Sequence, residues 1–370
     1  MIGFRFQLHG LSISFSTDDA DLAAFVGEYF ETEDGEDPSA QIAIRAAWRW
    51  GGAGKRPTGR TPTGRTQQAG RGLTLYGAEG GGLGAHWTRV PDFPELALNL
   101  ELSGGDPLRL CVDADCAYVP TGVGRRLRYL RPSRADLKRN RLFFKLVYFI
   151  VYYPLAWYLQ RTRGWGLVHA SAVVLPEGRA VVLSGLGGVG KSTLGLALLE
   201  TPGTRLLSDN LVFHDEERIY CCPEPVRLDD SALEGMPEGA GKPARTGLPA
   251  TAHPKPTYRV PQGRAAGSAA PGTVAFLRFA PRSGETPLDA GRAAEMLRAA
   301  NDLAREIKDY RPFSAVLAMI AAEAGGPPAA PQASLERLLG GARCAIFAIG
   351  RGETIPRTLD RLAGWIGSPA

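Results

Sequence analysis

The chain has 370 residues, 44% of them apolar and 22% charged, so it is long enough for two domains and apolar enough to bury a core in each. Its 43 Lys and Arg against 38 Asp and Glu leave a formal charge of +5 and a pI near 9.0, concentrated in 50–75 and 125–145, an excess too local to select one class of anionic partner. Cys111, Cys116, Cys221, Cys222 and Cys344 lack paired metal spacing, which speaks against a zinc site. With no signal-peptide pattern at the N-terminus, they suit a reducing cytoplasm.

Residues 4–8 (FRFQL) and 11–15 (LSISF) alternate apolar and polar around His9-Gly10, the pattern of a hairpin. A short helix is expected over 21–30 and a strand over 40–50. The stretch 51–72, with its near repeat PTGRTPTGR, is too rich in Gly, Arg and Thr to bury a core. It is expected as a mobile solvated loop, with a basic arm for an acidic substrate as the functional alternative. Strands over 73–76, 96–102 and 108–112 complete a mostly β domain over 1–133. A helical connector follows over 134–164. Within it, 142–159 reads LFFKLVYFIVYYPLAWYL, close to the length of a membrane span. Lys145 and Pro154 interrupt that run, so a buried helix clamping two domains is the first expectation. Peripheral membrane contact through 142–159 is the second, because Arg139, Arg141, Arg161 and Arg163 flank the aromatics.

From 165 the pattern changes to strand, turn, strand, loop, helix, strand, an α/β order. Residues 223–272, rich in Pro, Gly and basic side chains, suggest long loops or a substrate-facing flap. A strand over 274–279, helix over 290–322, a strand over 345–349 and a last helix over 358–366 follow.

The apolar run 180–184 leads into Gly185-Leu186-Gly187-Gly188-Val189-Gly190-Lys191-Ser192-Thr193, and 194–200 then follows a helical pattern. This is G-x-x-x-x-G-K-S between a strand and a helix, the context a phosphate-binding loop requires. Glycines let several N–H groups converge on one anion, and the helix N-terminus adds positive partial charge. Lys191 is positioned for the β- and γ-phosphates and Ser192 for Mg²⁺. Gly185, Gly187, Gly188, Val189, Gly190, Lys191, Ser192 and Thr193 are therefore the expected nucleotide-binding set. No N-K-x-D guanine reader is evident, which favours ATP. No apolar run ending in Asp-Glu is present either, which speaks against a motor ATPase.

Residues 205–213 read as one strand carrying Asp209, spaced as the next strand of a βαβ unit. A carboxylate at a parallel strand end faces the ligand crevice, where it can hold Mg²⁺ through water or accept a proton from a hydroxyl. His169 lies in the expected strand before the phosphate loop; a lone strand histidine is more often packed than functional. Arg227, Lys255, Arg259 and Arg351 are candidates for gripping the γ-phosphate or an acidic acceptor. Cys221-Cys222 reads as packing rather than a redox pair, since adjacent cysteines rarely meet disulfide geometry.

Together, the strand with His169-Ala170, the phosphate loop and Ser208-Asp209-Asn210 resemble the C-terminal catalytic domain of HPr kinase/phosphorylase and its related serine kinases. That group includes kinases of biosynthetic clusters for modified peptides such as lasso peptides. The resemblance runs from about 165 to 213. It implies a P-loop kinase domain of the HPr-kinase/PEP-carboxykinase-like α/β type over 165–370, using ATP and Mg²⁺. It further implies Asp209 as the base, His169 lining the phosphate site, and a hexameric or dimeric homo-oligomer. The chain departs from the family at Asn210, where many relatives carry a second Asp, and at Thr193, where the bifunctional enzyme carries Glu. The downstream Glu-Asn and Arg-Gly signature is also missing, so a one-way kinase is expected rather than phosphorolysis. The acceptor expected is a Ser or Thr hydroxyl of a protein or precursor peptide. A small-molecule kinase, for free serine for example, and a non-catalytic ATP-binding scaffold are the alternatives. A nucleic-acid partner has only the Arg/Gly segment in its favour and is not expected.

Overall fold

The structure, a computed structural model, describes all residues except 51–65, 71, 79–81, 106, 119–131, 229–243, 246–256, 261, 324–328 and 369–370. Contacts divide the chain into two compact units. One comprises Met1–Arg161 with Asp309–Ala329, the other Thr162–Lys308 with Ala330–Ala370.

The first unit holds a mixed nine-stranded sheet built from β1 (Ile2–Leu8), β2 (Leu11–Thr17), β3 (Glu33–Asp34), β4 (Ile42–Trp50), β5 (Thr66–Gly70), β6 (Leu73–Gly77), β7 (Leu83–Trp87), β8 (Leu96–Ser103) and β9 (Arg109–Tyr118). Their order is β3-β1-β2-β4-β9-β8-β7-β6-β5. The hairpin at His9-Gly10 forms as expected, with both residues at positive φ (51° and 71°). The expected loop over 51–72 needs a correction at its end, because Thr66–Gly70 is a fully exposed edge strand paired with β6. The rest of that segment, 51–65 and 71, lies outside the described residues. The sequence pattern also passed over β7, whose LGAHW carries no alternation.

One face of this sheet buries Ile42, Ile44 and Trp48 of β4 and Leu110, Val112 and Cys116 of β9. Against it lie α1 (Ala20–Gly27), α2 (Pro132–Val147) and α3 (Tyr153–Arg163). Trp48 meets Phe143 edge-on at 4.7 Å, and Phe25 meets Phe144 at 5.1 Å. The connector helix thus lies inside the first unit, and its long apolar run is 94% buried. Each fully buried Leu or Phe there contributes about 1.5–3 kcal/mol. Pro154 does not break the helix. It cannot donate to the Ile150 carbonyl and its ring would strike it; a single π-turn, Tyr148–Tyr152, closed by Tyr153 N–H to Tyr148 O, widens the backbone just before it. Lys145 donates to Asp92 O at 2.5 Å and lies 3.8 Å from Asp309, so the one charge within the run is answered.

The second unit is α/β. Its strands are β10 (Gly166–His169), β11 (Ser171–Val174), β12 (Arg179–Gly185), β13 (Arg205–Ser208), β14 (Leu211–His214), β15 (Ile219–Cys221), β16 (Val226–Arg227), β17 (Ala244–Arg245), β18 (Thr257–Arg259), β19 (Ser268–Ala280), β20 (Gly284–Leu288) and β21 (Arg343–Gly350). β16, β18 and β17 form a small separate sheet; most of the flap expected over 223–272 lies outside the described residues. In the large sheet β12, β19 and β21 run parallel side by side, and β11 flanks β12 antiparallel.

The helices of this unit are α4 (Lys191–Leu198), α5 (Ala290–Leu303), the start of α6 (Arg305–Glu323), α7 (Leu335–Leu339) and α8 (Ile355–Gly367). β12 is buried on both faces, which is why it reads as a continuous apolar run. Ala180 and Val182 pack toward α5 and α7, Val181 and Leu183 toward α4 and α8. The helix expected over 290–322 is divided at Ala304, whose extended backbone (ψ 130°) ends α5 before α6 begins.

Candidate functional site: a glycine-rich loop at the sheet edge

The loop leaves the C-terminal end of β12 and enters α4. Gly185, Gly188 and Gly190 take φ values of 132°, 81° and 101°, a region where a Cβ is strained. At Gly185 a Cβ would also lie 2.5 Å from Leu277 O, so only glycine lets the loop pass that close to β19. Val189, 5% exposed, anchors the loop in the core, while Leu186, Gly187 and Gly188 are exposed. Gly190 is the N-cap of α4 and gives it no side-chain cap, so the first N–H groups of the helix face the loop's mouth. Lys191 is 8% exposed and donates to Gly185 O at 2.8 Å and Leu186 O at 3.1 Å. Burial lowers its pKa, against the charges of Asp209 and Glu306, which raise it. Ser192 and Thr193 are half-buried in the first turn.

Asp209 differs in setting from the sequence expectation. Residues 205–213 are two strands, not one, and Asp209-Asn210 is the bend between them. β13 pairs antiparallel with β11, so it runs in the direction of β12 but with β11 inserted between them. The partner chain segment is interrupted at the matching place. β10 and β11 are separated by Ala170, whose N–H bonds to Asn210 O at 3.2 Å. The double interruption brings His169, Ser171 and Asp209 to the sheet edge from which the phosphate loop emerges.

Asp209 is 7% exposed. Burial raises its pKa; the Ser192 hydroxyl, the Arg227 charge, the Ser171 hydroxyl and Lys191 pull it down less strongly. Ser171 Oγ is buried and forms no hydrogen bond of full geometry, so it acts on Asp209 as a nearby dipole. His169 is likewise held below the usual imidazole range, by burial first and then by Lys191, with Glu306 and Asn210 opposing. Its backbone N–H donates to Asn301 Oδ1 at 2.8 Å, and Asn301 Nδ2 donates to Leu167 O at 2.9 Å, so α5 pins the end of β10.

Of the four basic candidates, Arg227 reaches this site, 3.8 Å from Glu306. Arg259 is exposed on β18, Arg351 is exposed at the end of β21, and Lys255 lies outside the described residues. Glu306, Ser171 and Asn301 were not legible from the sequence, since no motif spacing ties them to the loop. Cys221 and Cys222 are free thiols, and burial raises both pKa values, as packing residues require. Among the described residues no cluster of three or more His, Cys, Asp or Glu is arranged to hold a metal by itself. Ser192 and Asp209 do offer two hard oxygen donors beside the loop, a set that suits Mg²⁺ when phosphate oxygens and water complete its shell.

No protein-family model matches the chain, and no curated protein sequence matches it. Among solved structures, one that matches is the Hpr(Ser) kinase/phosphatase from Coxiella burnetii, at 12% identity and a TM-score of 0.25, over 54% of this chain and 97% of that one. A likeness that slight says nothing further of this chain, whose site is read from its own geometry.

Proposed function

We propose that the second unit is an ATP-dependent kinase that transfers the γ-phosphate to a Ser or Thr hydroxyl of a protein or peptide. The observation that carries this reading is the buried Asp209 carboxyl beside Ser192 and Lys191, at the mouth of a loop with three left-handed glycines and an uncapped helix. The N–H groups of the loop and of α4 bind the phosphates, and Lys191 exchanges its two carbonyl partners for phosphate oxygens. Arg227, held by Glu306, adds positive charge that acts on Asp209. Asp209, its pKa raised by burial, accepts the proton of the attacking hydroxyl, the task of a general base. His169, kept neutral by burial and Lys191, adds no positive charge that would hold the product phosphate. Ser192 and Asp209 would hold Mg²⁺, which would supply charge neutralisation at the phosphates. The peptide acceptor rests on the sequence resemblance and on a separate first unit.

Incubation of the full chain with ATP, Mg²⁺ and a panel of Ser/Thr peptides, read by mass, tests the reading. Phosphorylated peptide is expected, and Asp209→Asn is expected to lower transfer about 10²–10⁴-fold while ATP still binds. ATP binding by the parent with no phosphorylated product across the peptide panel would reject the peptide-kinase reading.

A further inference from the structure

Beyond the phosphate loop, the same sheet edge carries a second feature. The edge order is β13, β11, β12, β19, β21, with Asp209 on one side of the loop and the ends of β19 and β21 on the other. Those two strand ends form a cleft of about 520 Å³, walled by Phe279, Ile349, Arg351 and Glu353. That volume is within the range of small-molecule pockets, roughly 300–1,000 Å³. The clefts of about 500 and 710 Å³ lie in the first unit and share no residue with the loop's unit.

Phe279 is the unusual member, 69% exposed near the end of a strand in which Val274, Ala275, Phe276 and Leu277 are core. Strand alternation places Ala275, Leu277 and Phe279 on one face. Ala275 and Leu277 pack with Leu194 and Leu196 of α4, so Phe279 lies on the face that carries the phosphate-loop helix. Leu277 pairs with Gly185. Phe279 is therefore about 7 Å further along the strand and one strand spacing, about 5 Å, to the side. A ribose and an α-phosphate span such a gap. The opposite wall is held firmly. Gly350 N–H and Ser283 Oγ both donate to Glu353 Oε2, at 2.9 and 2.5 Å, closing the turn that presents Arg351 at the rim.

We propose that this cleft is the nucleoside pocket of the site, with the purine base stacked on Phe279 and the Arg351 guanidinium over the base or the α-phosphate. This placement rests on the ATP reading above and lays the nucleotide across β12, base toward β21 and γ-phosphate toward Asp209. Aromatic faces take a base by stacking, and Arg joins such a stack by its planar cation.

The test compares binding of ATP and of inorganic tripolyphosphate to the full chain, by calorimetry, for the parent, Phe279→Ala, Phe279→Tyr and Arg351→Ala. Phe279 is exposed, so its loss opens no core cavity. Phe279→Ala is expected to weaken ATP about 10- to 100-fold and leave tripolyphosphate unchanged, while Phe279→Tyr restores ATP. Arg351→Ala is expected to weaken ATP as well. Equal ATP affinity in Phe279→Ala and parent overturns the pocket and leaves the ATP reading standing. A parallel loss of ATP and tripolyphosphate also overturns it, because the effect would then belong to the phosphate loop. A parent that binds neither ligand overturns both readings.

Discussion

Glu353→Gln removes one carboxylate from the wall of that cleft, and its cost follows from the surrounding donors. Glu353 accepts from Gly350 N–H, Ser283 Oγ and Arg361 Nε, the last at 3.1 Å, with its side chain 9% exposed. Burial by itself would raise its pKa, but the hydrogen bonds from Ser283, Arg361 and Gly350 and the Arg361 charge outweigh it and hold the group at about 2, against an ordinary 4.5. A folded pKa below the unfolded one means that the unfolded chain takes up the proton first as pH falls. The stabilisation is therefore complete above about 4.5 and is lost as pH drops through about 2. The full interval corresponds to about 3 kcal/mol, and to about 2 once screening by the water of the open cleft is allowed for. Chemical unfolding at pH 7, 5, 4 and 3, read by hydrogen exchange along β21, measures it. Glu353→Gln should lie about 2 kcal/mol below the parent at pH 7, with the gap narrowing toward pH 3. A gap that stays constant over that interval, or widens, refutes the assignment of the stability to this carboxylate.

Two further predictions concern the phosphate loop. Gly185→Ala should destabilise the second unit by about 1–3 kcal/mol through positive-φ strain, with its Cβ against Leu277 O adding to the cost. It should also weaken nucleotide binding, because Lys191 is bonded to the Gly185 carbonyl; a parental melting temperature would contradict this. Glu306→Gln removes a negative charge that raises the pKa of both His169 and Lys191. The His169 titration followed by NMR should then move to lower pH, and an unchanged or higher midpoint would show that Glu306 does not act on the site.

The strand–loop–helix setting of the candidate phosphate loop was legible because its pattern is local: glycines, Lys191 and Ser192 at fixed offsets between a strand and a helix. The face of β12 was legible for the same reason, as an apolar run too continuous for an exposed sheet. Asp209 was legible by residue type but not by setting. Its bend exists because Ala170, far away in sequence, takes the backbone hydrogen bond of Asn210 instead of continuing the ladder. Glu306 and Asn301 escaped for a stronger reason. Their roles arise where α5 ends and α6 begins beside β10, a juxtaposition with no spacing rule; His169 and Asn301 are 132 residues apart. In the first unit β5 escaped because all five of its residues are exposed, so no alternation marks it. The parallel pairings of β4 with β2 and β9 depend on which strands the helices cover, which local pattern does not encode.

The division of the chain also bears on how the protein can be made. The first unit reclaims Asp309–Ala329 after the whole of 162–308 has passed. Phe313, fully buried, meets Phe149 and Tyr153 of the same unit, at 6.3 and 5.8 Å. On the ribosome, where domains generally fold as they emerge, the N-terminal sheet and its long helix must wait with that aromatic surface open until the segment carrying Phe313 has left the exit tunnel. The second unit is translated in the interval, and it too is incomplete until β21 and α8 emerge. Neither unit can therefore be cut out as one continuous stretch of gene, and a fragment ending at Arg161 would expose an aromatic face made to be covered.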